Sequence, residues 1–132
     1  MLERDYFLRI IQEFAVALSL FLEKKIGEEK RDQEMKELYR QYVGPYETIR
    51  NLSTAELLEY AHDQWDDGQR MERIEMVAEL LYAEASYKVH PLREMLLEKA
   101  FRLFDYVDVN GITYSMNRKM KMNTLRQLLH HE

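Results

Sequence analysis

Phe7, Ile11, Phe14, Leu18 and Phe21 recur at alternating steps of four and three residues, which sets them in one seam along an α-helix. Ile10 and Ala17 widen the seam on one side, and Leu8, Ala15 and Leu22 on the other. Around Ala15 to Leu22 the helix is apolar nearly all round, and a helix of that kind needs partners on more than one side. Each large side chain left in water forgoes about 1.5–3 kcal/mol. A second chain is one way to cover it. The Phe7, Ile11, Phe14, Leu18, Phe21 seam is therefore the candidate contact, self-pairing as a homodimer or holding another protein. The most apolar run, Phe14 to Leu22, covers nine residues and includes Ser19. A bilayer-spanning helix needs about 20 apolar residues, so no membrane partner is expected. Glu3, Asp5 and Glu13 offset Arg4 and Arg9, which is unlike a secretion signal, and the expected location is cytoplasmic.

Composition narrows the fold class. The 132 residues suffice for one domain, or for a long hairpin plus a small domain. Hydrophobic residues at 46% and charged residues at 33% fit a folded chain rather than a disordered one. Only 4 Gly and 2 Pro are present, too few turn-formers for a sandwich or barrel of many short strands. With no Cys, disulfides, thiolate zinc sites, cysteine nucleophiles and cysteine-held iron–sulfur clusters are excluded.

The rest of the chain also reads as helix. Gly27 loosens the first helix, and Glu28 to Val43 predicts a second with a thin apolar set of Met35, Leu38, Tyr39, Tyr42 and Val43. Residues 1–43 form either one continuous helix or a hairpin, and residues 44–132 a further helical domain packed with it as one unit. Gly44-Pro45 ends the second helix. Ser53-Thr54-Ala55-Glu56 has the capping-box form and predicts a helix from Thr54 to about Gln64, broken at Asp66-Asp67-Gly68. Arg70 to Lys88, Pro91 to about Tyr106, and about Ser115 to His130 complete the series. Val107 to Tyr114 has strand-like composition, but Asn110-Gly111 inside it reads as a turn. Short connections make neighbouring helices antiparallel. The fold class is all-α: antiparallel helical hairpins led by a long amphipathic N-terminal helix.

Within the Arg70–Lys88 and Pro91–Tyr106 pair, Ala83 supplies a small residue, Tyr87 an aromatic, and Ala100 with Phe104 an Ala-x-x-x-Phe pattern. A small residue on one helix lets the ring of the other sit close to its backbone. The pair resembles a tetratricopeptide-type hairpin (TPR-like), a resemblance that implies such hairpins across residues 44–132. The pattern occurs once, so it implies no repeat array. Met1-Leu2-Glu3-Arg4-Asp5-Tyr6, Ala78-Glu79-Leu80-Leu81-Tyr82 and Ala100-Phe101-Arg102-Leu103-Phe104 also resemble a small family of uncharacterised bacterial helical proteins. That resemblance implies a helical-hairpin fold and brings no activity or catalytic position with it.

Chemistry has few footholds. Glu59-Tyr60-Ala61-His62 puts a carboxylate and an imidazole on one helix face, a pair that ferritin-like di-metal bundles use twice. No second copy exists, because Tyr87 precedes His90 and Gln127 precedes His130 at that spacing. The plain reading is a surface pair; the alternative is a carboxylate/His metal protein, an oxidoreductase among them. His62-Asp63 matches a metal-phosphohydrolase dipeptide, but no His precedes residue 62. Ser19 lies in an apolar helix and Ser53 caps one, and no Gly-x-Ser-x-Gly, Gly-x-Gly-x-x-Gly or Walker-type loop is present. His130-His131-Glu132 is a metal-capable tail whose plain reading is a frayed end. No cofactor is expected.

Charge is unevenly spread. Residues 1–110 hold 15 basic and 23 acidic side chains, whereas residues 111–131 hold Arg118, Lys119, Lys121 and Arg126 and no acid. A basic last helix can meet nucleic acid or an anionic partner, with Met116, Met120 and Met122 adapting to a groove. The simpler expectation is that it packs on the acidic body with its Met residues in the core. The net charge of −5 disfavours nucleic acid. Tyr39, Tyr42 and Tyr46 form a third candidate surface, against ordinary half-buried packing. The expected function is a non-enzymatic protein–protein interaction or scaffold module. Its contacts are the Phe7–Phe21 seam and the Arg118, Lys119, Lys121 bases; the metal and nucleic-acid readings are the alternatives.

Overall fold

Helix α1 (Leu2–Glu23) stops at Lys24–Gly27, and the chain doubles back into α2 (Glu28–Tyr42). Glu28 and Glu29 stand in the first turn of α2, where carboxylates meet the positive end of the helix dipole. Lys24 donates to Glu34 at 2.7 Å, Arg31 donates back to the Phe21 carbonyl at 3.4 Å, and the Phe14 and Tyr42 rings meet edge to face at 5.1 Å. Residues 2–43 thus double back as a hairpin. This is a computed structural model, and it describes residues 2–130, with side chains from Arg4 onward. Met1, His131 and Glu132 lie outside the described residues, and with them most of the His130-His131-Glu132 motif.

Gly44 turns the chain out of α2. Its φ of +139° lies in the region that favours glycine, and its N–H donates to the Tyr39 carbonyl at 2.7 Å. A short helix, α3 (Tyr46–Ile49), follows and sinks Ile49 into the core. Helix α4 (Thr54–Gln64) carries the capping box read from the sequence: Ser53 Oγ accepts from Glu56 N–H at 3.1 Å, and Glu56 Oε1 accepts from Ser53 N–H at 2.8 Å. Arg70 closes the other end of α4, donating to the carbonyls of Ala61, His62 and Trp65 in its last turn and cap.

Helix α5 (Asp67–Ala85) starts three residues earlier than expected: Asp66 holds the extended cap position, and Asp67 and Gly68 are already helical. It runs through the middle of the molecule, with Ile74, Val77, Ala78, Leu80 and Leu81 each nearly inaccessible. Helix α6 (Leu92–Asn110) returns antiparallel to α5. It overruns Tyr106 because Val107 continues the buried stripe of Ala100, Leu103 and Phe104, and burial outweighs the strand-like composition of Val107–Asn110. Gly111 then ends it, donating to the Val107 carbonyl at 2.7 Å. Helix α7 (Met116–Leu129) opens on Ser115, whose Oγ accepts from Arg118 N–H at 3.1 Å.

Two helices flank α5 in its own direction. On one side Arg4 donates to the Gly68 carbonyl and Glu72, and further along Phe21 meets Tyr87, so α1 runs parallel to α5. On the other side Arg118 meets Glu75 and Lys121 meets Glu79, so α7 does too. One hydrophobic cluster draws on residues from Phe7 to Leu125, joining the α1–α2 hairpin to the rest. The described residues form seven helices and no strand.

Candidate functional site

The Phe7–Phe21 seam faces inward. Phe7, Phe14, Leu18 and Phe21 are all buried in the chain's own core, and Ile11 packs partly against it. Arg73 of α5 sits 4.9 Å from the Phe7 ring centre, and Arg31 of α2 sits 5.4 Å from that of Phe21. The sequence expectation took this stripe as an exposed contact; the structure uses it to dock α1 on α2 and α5. What α1 leaves outside is the flank: Leu8, Val16, Leu20 and Leu22 are 43–60% exposed.

Because α1 and α7 run alongside α5 on opposite sides without closing over it, they leave a groove of about 680 Å³. Its floor is the α5 stripe Glu72, Glu75, Met76, Glu79, Tyr82, Ala83 and Ser86. One wall is α1, through Ile11, Ala15, Leu18, Ser19 and Leu22; the other is Asn117, Lys121 and Leu128 of α7, with Arg93 and Leu97 of α6 below. One end is acidic and the other apolar, because α5 changes from glutamates to small and aromatic residues along this stripe.

The acids of the floor each have a cation. Arg118 is 3% exposed and bridges Glu75 at 3.2 Å and Asp108 at 3.1 Å, while its Nη2 donates to the Thr113 carbonyl at 2.6 Å. Lys119 donates to the other Asp108 oxygen at 2.6 Å, and Lys121 to both oxygens of Glu79 at 2.6 and 2.7 Å. Burial raises the Glu75 carboxyl above its ordinary value, with Arg118 pulling the other way. Hydrogen bonds from Lys119 and Arg118 hold Asp108 below its ordinary value. The bases put forward as a nucleic-acid surface are therefore turned onto α5 and α6. Arg126 lies 5.4 Å from the Phe101 ring centre. Met122 is buried, while Met116 and Met120 remain exposed.

Glu59 and His62 are exposed on α4, and the His62 ring lies 3.4 Å from the carboxylate of its neighbour Asp63. Among the described residues no group of three or more His, Asp or Glu comes together to hold a metal ion. The tyrosine cluster is core rather than recognition surface: Tyr39 and Tyr42 are buried, and Tyr46 is half-buried edge to face on Tyr39.

A polar centre that sequence reading missed lies behind the tyrosines. Glu84 is fully buried; it accepts from Tyr46 Oη at 2.8 Å and from Arg50 Nε and Nη2 at 3.3 and 3.1 Å. Lys99 donates to the Arg50 carbonyl at 2.7 Å, so α3, α5 and α6 meet here. Burial pushes the Tyr39, Tyr46 and Tyr87 hydroxyls well above their ordinary values, and the Glu84 charge adds to it. The available signal was register: Glu84 continues the Ile74, Val77, Leu81 stripe of α5, where an acid must find an internal partner. Glu84 is enclosed and held by Tyr46 and Arg50, so this centre is a joint between helices, and the open groove is the candidate site.

No helix among the described residues is long and apolar enough to cross a membrane. Comparison with protein-family models, with curated proteins and with solved structures gives no match to this chain. The described residues form an all-helical protein.

Proposed function

We propose that this chain is a non-enzymatic helical interaction module, working in the cytoplasm, whose groove between α1 and α7 receives one amphipathic helix of a partner protein. The observation that carries the reading is the shape of the groove: two helices flank a third in the same direction and leave an open channel along the stripe between them. A helix laid on that stripe meets Leu22, Tyr82 and Leu128 at one end. This is the helix-in-groove mode of recognition, read by anchors at i, i+3, i+4 and i+7. At the other end Glu72, Glu75 and Glu79 are already matched by Arg4, Arg118 and Lys121, so the floor offers neutral ion pairs. It therefore suits an apolar stripe better than a strongly charged one. The α5–α6 pair is read as a tetratricopeptide-like hairpin, supported by the burial of Ala83, Ala100 and Phe104 where the helices meet.

The test is selection of a displayed library of amphipathic helices on the purified protein. Winning sequences are expected to carry apolar residues at helical spacing. They are expected to lose at least about tenfold in affinity for Ser19→Trp, which fills the groove from its α1 wall. Glu47→Trp, on the exposed surface of α3, is the control. If no helix is enriched, or if winners bind both variants equally, the reading fails.

A further inference from the structure

We infer that the outward face of α1 pairs antiparallel with α1 of a second copy of this chain, about a two-fold axis at Val16. This face is distinct from the groove, and the inference stands whether or not the groove takes a helix. Burial of Phe7, Phe14, Leu18 and Phe21 fixes which way α1 is turned. Val16, 60% exposed, and Leu20, 54% exposed, then point to solvent. Arg9, Val16 and Glu23 follow one another at seven-residue steps, so they lie in one line along the helix. Arg9 and Glu23 are both exposed, and among the described residues neither side chain makes a hydrogen bond or an ion pair.

Those facts make the face complementary to itself. Seven helical residues span about 10.5 Å, so the cation and the carboxylate stand equally far from Val16 on opposite sides. In an antiparallel pair centred on Val16, Arg9 of each copy faces Glu23 of the other. Val16 meets Val16, and Leu20 lies against the stem of Gln12. An isologous contact requires this: one patch that matches its own image under a two-fold rotation. A parallel pair would set Arg9 against Arg9 and Glu23 against Glu23.

The same two-fold, perpendicular to both helices, carries the two grooves to one side of the pair. The dimer then presents two copies of the groove on a single face.

Sedimentation velocity on the full chain, from roughly 5 to 500 µM, tests this. Wild type is expected to show a monomer–dimer equilibrium within that range. Arg9→Glu and Glu23→Arg are each expected to weaken dimerisation about tenfold, since one substitution alters both symmetric pairs. The double swap is expected to return it to within about threefold of wild type. Val16→Glu, which sets two carboxylates together on the axis, is expected to leave a monomer of unchanged helix content by circular dichroism. A wild type that stays monomeric throughout overturns the inference. So does a dimer indifferent to both single charge reversals, or one that the double swap does not restore. None of these results touches selection of helices on the groove, so the two readings fail separately.

Discussion

Glu84 and Glu75 stand on the same helix, and α5 gives them opposite settings. Glu84 lies on the side of α5 that α3 and α6 close over, with Arg50 and Tyr46 held against a carboxylate that sees no water. Glu75 lies on the open side, a quarter exposed, in a row of acids answered by Arg4 of α1 at one flank and by Arg118 and Lys121 of α7 at the other. An acid in the apolar register of a helix is expensive unless fully partnered, so it ties the fold together. An acid on the floor of a groove keeps one side free, and there the same chemistry shapes a surface.

The largest expected effect breaks the closed side. Glu84→Ala leaves Arg50 and Tyr46 without their acceptor and opens a cavity; a loss of about 3–5 kcal/mol in urea unfolding is expected. A loss under about 1 kcal/mol would show that the joint contributes little. Arg118→Ala comes next. It strips the cation from Glu75 and Asp108 and leaves the Thr113 carbonyl without that donor, at an expected cost of about 2–3 kcal/mol by the same measurement. Lys121→Ala sharpens the contrast, because Lys121 is a quarter exposed and water can replace it at Glu79. Less than about 1 kcal/mol is expected.

The smallest effect is in pH. Asp108 is held below its ordinary value of 3.8, so its contribution is full above that pH and is lost as pH falls through its folded value. Glu75 is shifted the other way, above 4.5; the folded state holds its proton more tightly, and acidification through that range favours folding. Thermal unfolding of wild type and Asp108→Asn is therefore expected to differ at pH 7 and to converge as pH falls below about 4. A gap that stays constant with pH would place the effect of Asp108 outside its ionisation.

Local signals in the chain were legible wherever one short segment held all the partners. The Ser53–Glu56 box formed as written, and Ser115 caps α7. The overrun of α6 to Asn110 was not legible, because Val107 is helical on account of a stripe that only the fold buries. Helix α3 is too short to carry a period, and Gly44 and Pro45 read only as a stop. For the site, the four bases of the last helix were visible, but not the acids they would meet. Glu75 and Glu79 lie more than 40 residues away in sequence. The groove had no sequence signature at all, being the space between two helices that never touch a common partner on its open side.

Helix α1 divides the two kinds of knowledge most cleanly. Its sequence alone determined that it is a helix and that it carries more apolar surface than one neighbour can cover, because side-chain direction along a helix follows from a local repeat. Only the tertiary structure decided that Phe7, Phe14, Leu18 and Phe21 turn inward while Arg9, Val16, Leu20 and Glu23 turn out. That choice depends on which stripe finds matching surfaces on α2 and α5, and contacts between segments so far apart in the chain are not written in the period of either one.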